Sequence, residues 1–128
     1  MSYYFSKIVD MTFNEAVDKV TEELKQEGFG VLTEIDVQAT LKKKIDVDFQ
    51  KYLILGACNP KYAHKALLEE DKIGTMLPCN VVVQERLDGK IEVTAVDPLA
   101  SMQAVKNAQL DEIASNIHSK LKRVVENT

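Results

Sequence analysis

The chain has 128 residues, of which 45% are apolar and 28% are charged, and it carries a net charge of −4, two cysteines and no tryptophan. This length and composition predict one globular domain over residues 1–128 and exclude a disordered or fibrous chain. The negative charge and the small number of aromatic rings argue against nucleic-acid binding, which depends on cationic attraction to phosphate and on base stacking.

The amino terminus and the apolar runs predict where the protein is found. The opening residues, MSYYFSKIVDM, have neither the apolar stretch nor the small-residue cleavage pattern of a secretory signal. Every apolar run falls short of the ~20 residues that cross a bilayer, so we expect no membrane partner. We therefore predict a cytoplasmic protein whose two cysteines are reduced thiols.

The first predicted elements are a strand and a helix. Residues 3–9 are rich in aromatic and β-branched side chains, which favour a strand. Thr12 and Glu15 have the spacing of a capping box, which predicts that a helix begins at this point. Apolar residues then follow at helical spacing, and Gly28 is placed to end the helix in a left-handed conformation.

The next segment changes its period twice. Apolar and polar residues alternate over 31–39, which predicts a half-buried strand with Val31 and Ile35 on its inner face. A four-residue spacing of apolar side chains then indicates a short helix that reaches Ile45. Residues 52–57 are apolar without alternation, which predicts a central strand covered on both faces.

Pro60 suits the first turn of a following helix, because its missing N–H has no helical partner at that position. Cys58 is therefore predicted to lie at a strand-to-helix junction. Residues 72–77, around Gly74, are expected to form a loop.

The Asp88-Gly89 pair predicts the turn of a β-hairpin that begins at Val81 and returns over 90–96. The residues leave the register of this hairpin open, but Arg86 opposite Glu92 is favoured over Glu85 opposite Glu92, because unlike charges pair favourably. An amphipathic helix follows over 110–124. Together the elements predict an α+β fold in which a largely antiparallel sheet packs against helices on one face.

The two cysteines lie in near mirror-image settings, and these settings are the candidate site. One segment reads CNP and the other reads PCN; their residues are Cys58, Asn59 and Pro60, followed by Pro78, Cys79 and Asn80. The sequence has no GxGxxG, Walker, HExxH, GxSxG or paired CxxC motif. We therefore expect a protein that is not an enzyme, and the sequence identifies no cofactor.

Three chemical roles are open to the two segments. As a binding site, they would form one wall of a pocket for a small ligand. As a redox or metal site, Cys58 would be the reactive thiol and Cys79 its resolving partner or second ligand, with the imidazole of His64 completing a set suited to zinc or copper(I). As structural elements, the cysteines would be small buried hydrophobes beside asparagines that bond to the backbone.

Four stretches of the sequence resemble a known family. They are GFGVLTEIDVQATLKKKI at 28–45, YLILGACNP at 52–60, IGTMLPCNVVVQE at 73–85 and AVDP at 95–98. This ordered series resembles the bacterial and archaeal domain of unknown function 302. The resemblance implies a single two-layer α+β domain with a curved antiparallel sheet and two principal helices on one face, comparable to a half domain of the TATA-binding protein. It also implies a homodimer by similarity. It implies no reaction.

The predicted function combines these observations. We expect an intracellular, non-enzymatic domain that binds a small molecule or a partner, with the CNP and PCN segments at its site. The alternative is a thiol-redox or metal-binding protein that uses Cys58 and Cys79.

Overall fold

Five antiparallel strands form one sheet in the computed structural model, which describes residues 2–128. Their order across the sheet is β1-β5-β4-β3-β2, so that β4 lies at the centre. The strands are β1 (Tyr4–Val9), β2 (Gly30–Asp36), β3 (Tyr52–Cys58), β4 (Cys79–Glu85) and β5 (Ile91–Val96).

The helices complete a two-layer α+β domain, which confirms the predicted fold class. The two longest, α1 (Phe13–Gln26) and α5 (Ala108–Asn127), contact each other and the same face of the sheet. The shorter ones are α2 (Val37–Ile45), α3 (Pro60–Glu69) and α4 (Pro98–Ser101). Every helix within residues 2–128 is too short or too polar to cross a lipid bilayer.

Helix α1 has the ends that the sequence predicts. The Thr12 hydroxyl accepts a hydrogen bond from the Glu15 amide at 3.1 Å, and the Glu15 carboxylate accepts one from the Thr12 amide at 3.0 Å. Gly28 has a φ of +88°, a conformation that glycine adopts without steric cost, and the helix ends just before it. Local side chains therefore set both limits of α1.

The core lies between the helices and one face of the sheet. Alternate residues of the central strands point toward the helices and are fully buried, among them Val81, Val83 and Val93. They pack with Leu121 of α5 and Leu24 of α1 in one cluster. Burying each of these side chains contributes roughly 1.5–3 kcal/mol relative to leaving it exposed.

Two predictions about the faces of strands are wrong. Strand β3 buries Leu55 and Ala57 in the core, whereas Tyr52 and Ile54 on its other face are half-buried rather than enclosed. Strand β2 contains an irregularity between Val31 and Thr33 that interrupts its alternation. As a result Ile35, which we expected to be on the inner face, is 49% exposed.

Two further predictions concern the segment from 71 to 96. The expected loop is a 3₁₀ helix over Asp71–Met76. The hairpin and its turn are confirmed, but Glu92 pairs with Gln84 rather than with Arg86. The Arg86 guanidinium instead contacts the Asp88 carboxylate at 3.6 Å, within the turn itself.

Candidate functional site

The CNP segment forms the junction between β3 and α3. Cys58 is the last residue of the strand, and Pro60 begins the helix as expected. Asn59 occupies the cap position, but its side chain makes no capping hydrogen bond. Its Nδ2 donates instead to the carbonyl oxygen of Glu27 at 3.3 Å, which ties the start of α3 to the end of α1.

The close approach of Asn59 to the end of α1 depends on Gly28. A Cβ atom on Gly28 would lie 3.1 Å from the Nδ2 of Asn59. Gly28 therefore has two reasons to be glycine, since it both adopts a positive φ and leaves space for the Asn59 side chain.

The PCN segment begins β4 and lies beside the CNP segment at the same end of the sheet. Cys79 pairs with Ala57, and Asn80 pairs with Gly56. The Pro78 ring lies over Gly56, where a Cβ atom would come within 2.8 Å of the Pro78 Cγ and would also collide with Thr33. The pairing of two neighbouring strands therefore brings the two distant segments together.

A narrow apolar cavity, the junction cavity, lies between this end of the sheet and helices α3 and α5. Its volume is about 30 Å³, and its walls include Cys58, Asn59, Tyr62, Pro78, Cys79 and Ile117. The remaining lining residues are also uncharged. Because one water-sized sphere needs roughly 10–15 Å³, the cavity has room for about two or three water-sized spheres.

The structure places the six predicted site residues in two sets. Cys58, Asn59, Pro78 and Cys79 line the junction cavity, whereas the other two, Pro60 and Asn80, are exposed and do not. Asn80 instead faces the opposite side of the sheet.

The two thiols have different surroundings. Cys79 is 7% exposed, and its burial raises the pKa of the thiol to about 11, with a smaller contribution in the same direction from Cys58. Cys58 is half-buried, and both cysteines are free thiols. Since the thiolate is the nucleophile and the metal ligand, Cys79 is poorly suited to either role at neutral pH.

The metal alternative finds little geometric support. Within residues 2–128, no three histidine, cysteine, aspartate or glutamate side chains converge in a way that would hold a metal ion. His64 is exposed on α3 and is absent from the walls of the junction cavity.

Two lysines lie beside the tyrosine wall of the cavity, and sequence reasoning missed both. The ammonium groups of Lys65 and Lys120 lie 5.6 and 5.9 Å from the centre of the Tyr62 ring. Tyr62 and Lys65 are three residues apart on α3, a spacing that places two side chains side by side, so the sequence could have predicted this contact. Lys120 belongs to α5, so its position follows only from the packing of α3 against α5.

One carboxylate, that of Glu27, lies beside the cations at this edge of the cavity. Glu27 accepts hydrogen bonds from Arg123 at 3.0 and 3.2 Å, and its oxygen lies 3.8 Å from the Lys120 ammonium. The Arg123 hydrogen bond lowers the pKa of the Glu27 carboxyl, opposed in part by burial. Two cations, Lys120 and Arg123, therefore share one carboxylate at this edge of the cavity, and Lys65 pairs with no carboxylate within residues 2–128.

A second concavity, the sheet-face cavity, lies on the face of the sheet that the helices leave open. Its volume is about 370 Å³. Its walls are ten side chains of mixed polarity from four strands and the residue before β1: Tyr3, Tyr4, Ser6, Tyr52, Asn80, Val82, Gln84, Glu92, Thr94 and Val96. Glu92 is the one charged residue among them, and it accepts a hydrogen bond from the Ser6 hydroxyl at 2.6 Å.

These features define a class: a two-layer α+β domain with one antiparallel sheet and a small apolar cavity where two neighbouring strands and α3 meet. The model of the family described as "Domain of unknown function DUF302" matches residues 5–128, and the chain belongs to this family. The predicted family membership is thereby confirmed.

A solved structure supports the same assignment. The chain is similar to the uncharacterised conserved protein DUF302 from Bacillus stearothermophilus, whose crystal structure superimposes with a TM-score of 0.92 at 31% sequence identity. The alignment covers 99% of this chain and 98% of that chain. A search of the curated proteins found no match.

Proposed function

We propose that this protein is a non-enzymatic, cytoplasmic domain that binds a small apolar ligand in the junction cavity. One observation carries the proposal: the CNP and PCN segments, which are distant in sequence, form walls of the same cavity. Pockets lined by apolar side chains with a few polar groups are the usual form of small-molecule sites.

The walls of the cavity favour an apolar group. Its uncharged lining offers dispersion contacts, and the amide of its most polar wall residue, Asn59, is already engaged by the Glu27 carbonyl. With a volume of about 30 Å³, the cavity fits a short alkyl group or the apolar end of a larger ligand. Ligand pockets of drug size are roughly ten times larger.

The lining also supports a binding role over a catalytic one. The residues around the cavity, all within the described part of the chain, include no carboxylate, imidazole or amine. The buried Cys79 thiol, with its pKa raised to about 11, is protonated at neutral pH. These wall residues therefore supply no carboxylate, imidazole or amine as a general base, and the Cys79 thiol is not an activated nucleophile.

Titration with butan-1-ol tests the proposal. We expect amide resonances of residues around Cys58, Ala63 and Cys79 to shift in a saturable manner. Ala63→Leu adds volume to a cavity wall and should weaken this binding at least tenfold, whereas Ala39→Leu makes the same change on the exposed surface of α2 and should leave it unchanged. Shifts that are spread over the surface and do not saturate would contradict the proposal.

A second candidate function is binding of a second copy of the chain through the open sheet face. The walls of the sheet-face cavity carry one charged residue, although 28% of the chain is charged. Two copies of a protein with a net charge of −4 repel each other over most surfaces, and a nearly uncharged face avoids this repulsion. A homodimer is the partner that this surface fits best.

The size of the face is also sufficient. Strands about 4.8 Å apart and about six residues long give a five-stranded face of roughly 24 by 20 Å. Two such faces in contact would bury on the order of 1,000 Å² in total, near the lower limit for a specific interface.

Light scattering measures this second function directly. The wild-type protein should be a dimer, and Val82→Lys, which places a charge on the open face, should be a monomer at the same concentration. Leu87→Lys is the matched control, because Leu87 is 95% exposed in the hairpin turn and lies outside the face. A monomeric wild-type protein would rule out the dimer.

A further inference from the structure

Building on the proposed function, on which this step depends, we propose that the ligand of the junction cavity is a short-chain carboxylate whose alkyl tail enters the cavity and whose anionic head binds the ammonium groups of Lys65 and Lys120. The cavity supplies the site for the tail. The two lysines supply the site for the head.

The Tyr62 ring connects the two parts of this site. It is a wall of the junction cavity, and it is half-buried, so that part of the residue faces solvent. Both ammonium groups lie within 5.9 Å of the centre of this ring. A molecule with its tail beside the ring therefore has its polar end close to two cations.

The cations are available to a ligand to different degrees. Lys65 makes no ion pair within residues 2–128. Lys120 lies 3.8 Å from Glu27, but the guanidinium of Arg123 binds that carboxylate more closely, at 3.0 Å. An anion that approaches Tyr62 would thus meet one free ammonium group and one that is weakly paired.

The size and polarity of the cavity limit the class of ligand. An apolar volume of about 30 Å³ has no room for a nucleobase, and the lining offers no charged partner for a phosphate inside it. A single carboxylate on a chain of about four to six carbons keeps its charge at the lysines and buries about one or two alkyl carbons, since a methyl or methylene group is larger than a water-sized sphere. Affinity should rise about fourfold per added methylene until the cavity is full.

The experiment compares pentanoate with pentan-1-ol, which has the same chain length and no charge. Dissociation constants are measured at pH 7 and low salt from the amide shifts of Tyr62 and Ala63. Each exposed or partly exposed ion pair is worth up to about fivefold in affinity. We therefore expect pentanoate to bind about tenfold more tightly than the alcohol, and this preference to shrink in 1 M salt, where the screening length is about 3 Å.

Two variants test which residues cause the preference for pentanoate. Lys65→Met with Lys120→Met should reduce the preference for pentanoate over pentan-1-ol to about one, and an amide spectrum with the dispersion of the wild type shows that the variant is folded. Lys122→Met removes an exposed cation from α5 that is not in contact with Tyr62, and should retain the preference.

The outcomes separate the two proposals. Equal binding of acid and alcohol, or a preference that persists in the double variant, overturns the carboxylate proposal and leaves the apolar site intact. Binding of neither compound overturns both proposals. Tight binding of pentanoate that depends on both lysines supports both.

Discussion

The CNP and PCN segments contain the same three residue types, but the fold gives them different environments. Cys58 is half-buried at the end of a strand, whereas Cys79 is 7% exposed at the start of the central strand. Asn59 is buried and hydrogen-bonded to the backbone of another element, whereas Asn80 is exposed on the open face. Residue type alone therefore does not determine the role of either segment; position in the sheet does.

The largest expected difference between the two segments is in thiol reactivity. A thiol with a pKa of about 11 is a thiolate to about one part in a thousand at pH 8, and burial of Cys79 also blocks the reagent. We expect N-ethylmaleimide to modify Cys58 at least about a hundredfold faster. Mass spectrometry of the wild type, Cys58→Ser and Cys79→Ser assigns each rate. Equal rates at the two positions would show that the difference in burial has no chemical consequence.

The raised pKa of Cys79 also predicts a pH dependence of stability. The usual pKa of a cysteine thiol is 9.0, and that of Cys79 in the folded chain is about 11. Between these two pH values the thiol has lost its proton in the unfolded chain and retains it in the folded chain. Raising the pH through this window therefore lowers the free energy of unfolding, by about 2–3 kcal/mol for a shift of this size. Below pH 9 the Cys79 thiol is protonated in both states and does not contribute to the pH dependence of stability.

Urea unfolding at pH 8 and at pH 10.5 measures this dependence. Because lysines and tyrosines also titrate in this range, the informative quantity is the difference between variants. Cys79→Ala should lose less stability than the wild type over the window, whereas Cys58→Ala should lose as much. An identical loss of stability in the wild type and in Cys79→Ala would show that the Cys79 thiol is not the cause of the pH dependence.

The smallest expected effect distinguishes the two asparagines. Asn59→Ala removes the hydrogen bond to the Glu27 carbonyl in a buried setting and should reduce the free energy of unfolding by about 1–3 kcal/mol. Asn80→Ala changes an exposed side chain and should stay within about 0.5 kcal/mol of the wild type. Urea unfolding of the two variants at neutral pH measures both free energies. Similar losses in the two variants would mean that the hydrogen bond from Asn59 to Glu27 does not stabilise the fold.

Much of the fold could be predicted because its signals are local. The capping box at Thr12, the proline at the start of α3 and the Asp88-Gly89 turn each act through neighbouring residues, and each is present in the structure. The errors have non-local causes. The irregularity in β2 that exposes Ile35 depends on pairing with β3, and the register that pairs Glu92 with Gln84 depends on the whole hairpin.

The candidate site shows the same limit. The sequence singles out the CNP and PCN segments, but only the antiparallel pairing of β3 and β4 brings Cys79 beside Ala57. Lys120 reaches Tyr62 through the packing of α5 against α3, which no spacing in the sequence reveals. The half-buried face of β3 was also missed, because an apolar run such as residues 52–57 does not show which of its faces a helix covers.

The most direct measurement is a crystal structure of the protein under xenon pressure, since xenon occupies accessible apolar cavities without needing hydrogen bonds. The proposed function predicts one strong xenon site between Tyr62, Cys79 and Ile117, and its loss in Ala63→Leu. Diffraction that shows no xenon there, with the space instead filled by the surrounding side chains, would contradict the existence of a ligand site between the two segments.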